Sequence, residues 1–405
     1  MRSITALALG VALSVLPASS GAAQQARIPL TRTAAIEMAV SHGVRLPTAV
    51  ADTLVAAAQL ITARALANPM LTASYTRSTP QYHAELDIPL PFPWVRNARV
   101  GSARFAIAAS RLRYSFTRAS AALDADTSYT LALAAMARTA LSARTAADAD
   151  TLLRMAVARR DAGDASDLDV ELARVNAGQQ ANTAASDSLI LRQALLDLQL
   201  AIGISADSAE AMPVDSLTMP PAVDSTGAEP LGVAAAAAGL RAATLGLTAE
   251  RRSAWAAPSL VAGIETHDPS GSEPGILPVI GVALPLPFFD RNQGAVAAAA
   301  AERQRATAEL ALARLESRTQ VAQARREQVA ALARIARGRA VVESANRVAT
   351  MSMTAYREGA STLPSVLEAQ RNAREILAQY VDDLARAWIA TATLRALTLT
   401  ASPAP

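Results

Sequence analysis

Acidic side chains and a tyrosine are concentrated in two short stretches, over residues 160–174 and 356–370. Carboxylates gathered at one end of several identical chains would focus a negative potential and favour the passage of cations. Acids in these stretches could instead cap helices and complement the helix dipole in the first turn. We favour the capping role for Asp164 and Asp167, and both roles stay open for Asp169 and Glu368.

The two stretches are related by a constant offset of 196 residues, which indicates an internal duplication. Each contains a glycine that lets a helix end in the left-handed region, followed by a hydroxyl residue that can cap a new helix. Each stretch is therefore predicted to be the tip of a helical hairpin. The matched pairs are Gly163 and Gly359, Ser166 and Thr362, Val170 and Val366, and Ala173 and Ala369.

Motifs for catalysis or metal binding are absent from the sequence. The three histidines, His42, His83 and His267, are far apart, and there is no cysteine. No nucleophile elbow, phosphate-binding loop or dinucleotide fingerprint is present. Met351 and Met353 lie in a predicted helix, where methionine more often packs than binds soft metals. We expect no enzyme activity, no cofactor and no resident metal.

The composition favours long helices over a bulky globular core. Hydrophobic residues make up 51% of the 405 residues but aromatic residues only 3%, so alanine dominates the apolar fraction. Alanine has the highest helix propensity, although a GC-rich coding bias would also raise its frequency and would explain why all 38 basic residues are arginine. The formal net charge is +3 without blocks of like charge, so we expect no nucleic-acid partner.

The N-terminal stretch 1–23 has the pattern of a secretory signal peptide. Met1 and Arg2 give a positive start, residues 4–16 are mostly apolar, and residues 17–23 are small apart from a proline. The apolar run is shorter than the roughly 20 residues of a membrane-spanning helix. We expect cleavage near Ala22 or Ala23, and a mature chain that is exported and has no helical membrane span.

Each hairpin is preceded by a helix and two strands. Alternation of apolar and polar residues predicts the strands, and a run without proline predicts a first long helix of about 60 residues, or about 90 Å. The long helices are expected over residues 96–160 and 294–357, with return helices over 166–202 and from the second tip to about 399. The predicted divisions are a signal peptide (1–23), a first repeat (24–203, strands 70–77 and 82–88, tip near 163), a linker (204–230) and a second repeat (231–405, strands 259–266 and 277–284, tip near 359).

Four strands in one chain are too few to close a barrel, because eight is the smallest number in closed antiparallel barrels of this kind. Apolar residues on one face and polar residues on the other are typical of barrel strands in an outer membrane. Two copies would supply eight strands and three copies twelve. The alternative is a small soluble sheet.

The ordered features resemble the TolC family of outer-membrane efflux channels over residues 30–399, with the CzcC-like heavy-metal and RND-associated branch the most similar. The resemblance rests on the signal peptide, the duplicated unit, a Pro-Leu-Pro-Phe sequence at 89–92 and 285–288, and the motif from Tyr356 to Gln370. It implies a mainly α fold with a small β part. The implied assembly is a homotrimer with a 12-stranded barrel in outer-membrane lipid, continuous with a periplasmic α-helical barrel.

The resemblance also implies a passive exit duct for metal ions or drugs, delivered by an inner-membrane pump of the RND type through a periplasmic adaptor (membrane fusion protein). By the family pattern, Asp169, Tyr356 and Glu368 would hold the periplasmic aperture, and Gly163, Ser166, Gly359 and Thr362 would dock the adaptor. Two positions depart from that pattern: Ser365 replaces a further acid, and Arg160 stands where the second repeat has Tyr356. The alternative function is a soluble periplasmic coiled-coil adaptor or scaffold.

Overall fold

The computed structural model describes residues 27–205, 210–221, 229–253, 257–267 and 275–399. The predicted signal peptide lies outside these ranges. The helices are α1 (Arg32–His42), α2 (Leu46–Arg64), α3 (Pro93–Asp161), α4 (Asp167–Ile202), α5 (Leu231–Arg252), α6 (Gln293–Arg357) and α7 (Leu363–Thr398). The strands are β1 (Arg27–Leu30), β2 (Met70–Tyr75), β3 (Tyr82–Pro89), β4 (Glu210–Pro213), β5 (Ser259–Thr266) and β6 (Ile276–Ala283).

Helices α3 and α6 are continuous over 69 and 65 residues, which corresponds to about 100 Å each at 1.5 Å per residue. Pro93 occupies the first turn of α3, where a missing N–H leaves no hydrogen bond unmade. Both helices end at the predicted tips, and the return helices α4 and α7 contain 36 residues each. The predicted long helices and their return helices are thus observed, with their ends shifted by at most three residues.

Strands β2, β3, β5 and β6 form one antiparallel sheet in that order. Their register places apolar side chains on one common face, among them Leu71, Tyr75, Leu86, Ile264, Ile280 and Val282. The opposite face carries polar residues on β2, β3 and β5, but apolar Leu277 and Val279 on β6. The predicted alternation therefore holds for three strands and fails for β6.

The helices near the sheet follow the same order as the strands. Helix α2 packs against α3, α3 against α5, and α5 against α6. Contacts from α3 to α2 and α5 involve its first half, as in the hydrogen bonds from Arg99 to Ala63 and from Ser102 to Ala242. Farther along, α3 packs against α4 and α7 instead. Residues 32–64 and 231–252 are long and apolar enough to cross a bilayer, yet α2 and α5 both lie along α3.

The segment predicted as a linker contains strand β4, followed by residues 214–218, which pack against the helices and which we call the strap. β4 pairs in parallel with β1, so that Ala211 lies opposite Ile28 and is buried. Leu217 packs against two apolar clusters, and the carbonyl of Thr218 accepts a hydrogen bond of 2.5 Å from the Trp388 indole. The pairing was not predicted because such short strands carry no measurable period, and β4 lies in the segment interpreted as a linker.

A polar joint lies halfway along α3, and we call it the mid-helix joint: Arg32, Asp126, Tyr129, Asp215 and Trp388. The Arg32 guanidinium pairs with Asp126 and lies 3.8 Å from the centre of the Trp388 ring. The Tyr129 hydroxyl donates to the Leu30 carbonyl at 2.9 Å or to Asp215 at 2.7 Å. Burial, with the hydrogen bond to Asp215, raises the pKa of Tyr129 to about 12. The Tyr129 hydroxyl and the Arg32 backbone N–H lower the pKa of Asp215.

Replacing Tyr129 with phenylalanine should lower the free energy of unfolding by about 1–2 kcal/mol at neutral pH, because its buried hydrogen bonds are lost. The raised pKa stabilises the folded state fully below the unfolded pKa near 10. Stability should therefore fall as pH rises from 10 to 12 in the native protein, and fall less in Tyr129→Phe. Thermal unfolding followed by circular dichroism tests both points.

The matched control is Tyr114→Phe, since Tyr114 is half-buried on the same helix. Equal pH dependence of Tyr129→Phe and native protein between pH 10 and 12 would contradict the assignment.

Candidate functional site: the hairpin tips

The two tips have the same turn at equivalent positions of the two repeats. At the first tip, Gly163 has φ +87° and its N–H donates to the Arg160 carbonyl at 2.9 Å. At the second, Gly359 has φ +80° and its N–H donates to the Tyr356 carbonyl at 3.1 Å. A positive φ strains any residue with a Cβ, which explains glycine at both positions.

The tips of the two hairpins pack against each other through an apolar group that we call the tip cluster. Leu152 and Ala156 come from α3, Val170 and Ala173 from α4, and the remainder from the second hairpin. Met353, on α6, packs against the cluster, whereas Met351 is exposed, so the predicted packing holds for Met353 alone. The duplicated unit thus buries equivalent positions, Val170 and Val366, in one shared core. The cluster consists of Leu152, Ala156, Val170, Ala173, Tyr356, Leu363 and Val366.

Tyr356 lies inside the tip cluster, with only 3% of its surface exposed. Its hydroxyl has no hydrogen-bond partner among the described residues. The Arg159 guanidinium lies 5.0 Å from the ring centre and donates to the Tyr356 carbonyl at 3.1 Å. Burial raises the pKa of the Tyr356 hydroxyl; the Arg159 charge opposes that shift and the Asp169 charge adds to it. Tyr356 therefore lies between the hairpins, and its role at an aperture stays a prediction.

Asp169 takes part in a capping box at the start of α4. Its Oδ2 accepts from the Ser166 backbone N–H at 3.1 Å and from the Ser166 hydroxyl at 2.9 Å. In return, the Asp169 N–H donates to the Ser166 hydroxyl oxygen at 3.2 Å. These bonds satisfy the donors that a helix start leaves unpaired. Capping is therefore a sufficient reason for an acid here, and a further role at an aperture stays a prediction.

The second tip is capped differently. Thr362 is the N-cap residue of α7 but its side chain makes no capping bond. Ser365 donates instead to the Thr362 carbonyl at 2.8 Å, and its hydroxyl lies 2.6 Å from that of Ser361. The serine that replaces an acid in this position thus closes the turn locally.

Glu368 is exposed on the first turns of α7. It pairs with Arg371 and accepts from the Asn372 amide at 3.3 Å. The hydrogen bond from Arg371 is the main cause of the lowered pKa of Glu368, so this carboxylate is charged at neutral pH. Glu368 lines a groove that Tyr356 and Asp169 do not line.

That groove runs between α4 and α7 and has a volume of about 570 Å³. Its lining is mostly polar, with Asn176, Gln179 and Gln180 on α4 facing Glu368 and Arg371 on α7. A second cleft of about 300 Å³ shares Thr183 and Arg374 with it and continues to the ion pair between Arg138 and Asp382. The hairpins are thus joined by apolar packing at their tips and separated by polar clefts above them.

The four residues predicted to dock an adaptor, Gly163, Ser166, Gly359 and Thr362, are all exposed. A Cβ added to Gly163 would meet no atom within 4 Å, and one added to Gly359 would meet only Arg159 Nη2 at 3.9 Å. The tips therefore present an open surface. Their contact with a partner stays a prediction.

The histidines are dispersed. His83 Nδ1 lies 3.2 Å from Glu265 on the sheet, while His42 ends α1 and His267 contacts the Tyr82 ring. No group of three potential metal ligands occurs among the described residues. The residue that sequence reasoning missed is Arg159, since nothing distinguishes it from the other arginines until the hairpins are folded.

No protein-family model and no curated protein matches this chain. Several solved structures do. A membrane protein from Pseudomonas aeruginosa is 22% identical, with a TM-score of 0.76 and coverage of 90% of this chain and 93% of that one. VceC, an outer membrane protein from Vibrio cholerae, is 18% identical, with a TM-score of 0.75 and coverage of 91% and 96%. The CmeC outer membrane channel from Campylobacter jejuni is 13% identical, with a TM-score of 0.74 and coverage of 98% and 94%.

The likeness extends over nearly the whole length of each chain, whereas the identity is low. It therefore demonstrates a common fold, mostly helical with a small sheet, which is the fold class that the resemblance to the TolC family implies. This chain has the fold of outer-membrane channels.

Proposed function

We propose that this protein is an outer-membrane channel, a passive exit duct for metal ions or drugs that an inner-membrane pump delivers through a periplasmic adaptor. The observation that carries the proposal is an open four-stranded sheet with an exposed apolar face. The similarity of the fold of this chain to the folds of outer-membrane channels supports the same conclusion.

The apolar face of the sheet fits a lipid environment. Ile280 is 82% exposed, and Leu71, Tyr75, Ile276 and Val282 are also exposed. Three of the strands have eight residues and β2 has six, slightly short of the roughly 9–11 residues with which tilted barrel strands cross a bilayer.

Aromatic residues mark both ends of the sheet. Tyr75 and Tyr82 are in contact at one end, with ring centres 5.3 Å apart. At the other end, Trp94 stacks on Phe92, and Phe289 is 96% exposed. Such girdles at the membrane–water boundaries are typical of outer-membrane barrels. They support a position of the long hairpins on one side of the membrane, which we assign to the periplasm.

The edges of the sheet call for further copies of the chain. β2 and β6 are the outer strands and run in opposite directions, so β6 of one copy can pair in antiparallel fashion with β2 of the next. Three copies give twelve strands, the number that the resemblance implies. Pairing removes open edges, which a lipid environment does not tolerate.

The helical edges are compatible with the same assembly. Farther from the sheet, α4 and α6 are the outer helices, because α3 and α7 pack between them. Helix α4 contains five acids and two arginines, a net charge of −3, whereas α6 contains eleven arginines and five glutamates, a net charge of +6. Opposite charges on the two edges would favour contact between α4 of one copy and α6 of its neighbour.

A soluble coiled-coil adaptor or scaffold is the alternative. Its sheet would leave the apolar face and both aromatic ends in water, and exposed patches of this kind are rare on soluble monomers. Fractionation separates the two functions, since a channel requires detergent for extraction and migrates as an oligomer.

Conductance in a planar bilayer tests the proposed function. The purified oligomer should conduct and prefer cations, and Asp169→Ala combined with Glu368→Ala should reduce that preference because carboxylates are removed. Ser166→Ala is the matched control: it removes the cap, at about 1 kcal/mol of stability, but keeps the Asp169 charge. A wild-type protein that never conducts would refute the channel, while an unchanged cation preference in the double variant would remove only the aperture role.

The orientation of the sheet is tested on two neighbouring residues of β6. Ile280→Arg would place a charge on the lipid-facing side and should reduce assembly in the outer membrane, since arginine near the bilayer midplane costs about 2–4 kcal/mol. Val279→Arg, on the opposite face, should assemble normally. Membrane fractionation and oligomer yield measure the difference, and equal loss in both variants would contradict the assigned faces.

The docking role of the tips is tested at Gly359 and its neighbour. Gly359→Leu should abolish transport and leave oligomers in the outer membrane, because bulk at the tip blocks the adaptor. Ala360→Trp adds bulk without the strain of a positive φ, so it separates docking from turn geometry. Transport in a pump-dependent susceptibility assay that survives both changes would exclude a docking role for this surface.

A further inference from the structure

We propose that Arg159 is the positioning residue that holds the two hairpin tips of one chain together, acting on the ring and the backbone carbonyl of Tyr356. The effect of this latch on an aperture rests on the proposed function; the latch itself does not.

Arg159 reaches across from α3 to three parts of the second hairpin. Its guanidinium lies 5.0 Å from the centre of the Tyr356 ring, and Nη1 donates to the Tyr356 carbonyl at 3.1 Å. Nη2 lies 3.9 Å from the place that a Cβ on Gly359 would occupy. One side chain therefore contacts the last turn of α6 and lies beside the tip turn that follows it.

The Tyr356 hydroxyl does not take part in this contact. It is buried without a hydrogen-bond partner among the described residues. The nearby carboxylate of Asp169 is engaged by the backbone and the hydroxyl of Ser166. The latch thus consists of a cation over an aromatic face together with a charge-assisted hydrogen bond to a carbonyl.

The neighbouring arginine shows that position matters. Arg160 is exposed and bonds within its own hairpin, to Asp161 at 2.6 Å and to Asp167 at 3.9 Å. Arg160 has the same charge and lies one position along the helix, yet its ion pairs stay within the first hairpin. Arg160→Ala is therefore a control that removes the same charge without removing a contact between the hairpins.

Arg159 lies beside the tip cluster, which is the apolar contact between the hairpins nearest to their tips. Above the tip cluster, the space between α4 and α7 is a polar groove of about 570 Å³, and a more apolar cleft of about 420 Å³ lies among α3, α6 and α7. Loosening the tip cluster would therefore let the hairpins separate until the hydrogen bond from Arg374 to Gln180 and, farther from the tips, the ion pair between Arg138 and Asp382 restrain them.

Hydrogen exchange by mass spectrometry on the full-length purified protein tests the latch. Arg159→Ala should speed exchange at tip amides, residues 152–157 and 353–358, by roughly tenfold, since a cation–π contact and one hydrogen bond are lost. Arg160→Ala should leave these rates unchanged. Tyr356→Phe should retain slow exchange, whereas Tyr356→Ala should match Arg159→Ala. Exchange around Tyr129 reports whether each variant is folded.

Three results would overturn the latch: equal rates in Arg159→Ala and Arg160→Ala, exchange in Tyr356→Phe as fast as in Tyr356→Ala, or faster exchange around Tyr129 as well as at the tips. Bilayer conductance tests the consequence for the aperture. Arg159→Ala should conduct more at low voltage than Arg160→Ala, and equal conductance would overturn that part. A wild-type protein that does not conduct refutes the proposed channel, and hydrogen exchange then decides the latch alone.

Discussion

The constraint on which the rest of the structure depends is the open sheet. Four antiparallel strands leave two rows of unpaired backbone groups, on β2 and β6, and one face covered with exposed apolar side chains. Unpaired strand edges are not tolerated in lipid, and an apolar face of this kind is unfavourable in water. The order of the helices near the sheet, α2, α3, α5 and α6, repeats the order of the strands, so pairing of the sheet with further copies, as proposed, would also bring α2 and α6 of adjacent copies together. A single rotational symmetry among the copies would therefore close both the sheet and the ring of helices.

The duplication gives two similar hairpins, which differ in how their tips are stabilised. Ser166 and Asp169 stabilise the start of α4 by reciprocal capping, whereas α7 begins without a side-chain cap on Thr362. Position 160 is arginine in the first repeat and tyrosine, as Tyr356, in the second. The Tyr356 ring is contacted by Arg159 of the other hairpin, whereas Arg160, which stands at the position equivalent to Tyr356, pairs within its own hairpin.

The sequence predicted the long helices, the tips and three strands of the large sheet from local signals: proline at helix starts, glycine at positive φ, and alternation in strands. β6 lacks alternation and was predicted from the repetition of the unit. The sequence did not predict β1 and β4, since strands this short have no period and their pairing is decided by distant packing. Arg159 and Arg32 were missed for a related reason. Arginine is the only basic residue in this chain, so its type carries no information, and only the folded chain shows which arginines lie over aromatic rings.

The mid-helix joint has a consequence for how the chain acquires its structure. Arg32 is stacked on Trp388, which joins the first helix of the chain to the last one. The joint also needs Asp215, which comes from the strap between the repeats. Arg32 therefore lacks its contact with Trp388 until almost all of the chain has been synthesised. Contacts between residues so far apart in sequence slow folding. Until then, the apolar surfaces around the joint lack their native partners, and such transiently exposed surfaces are prone to aggregation.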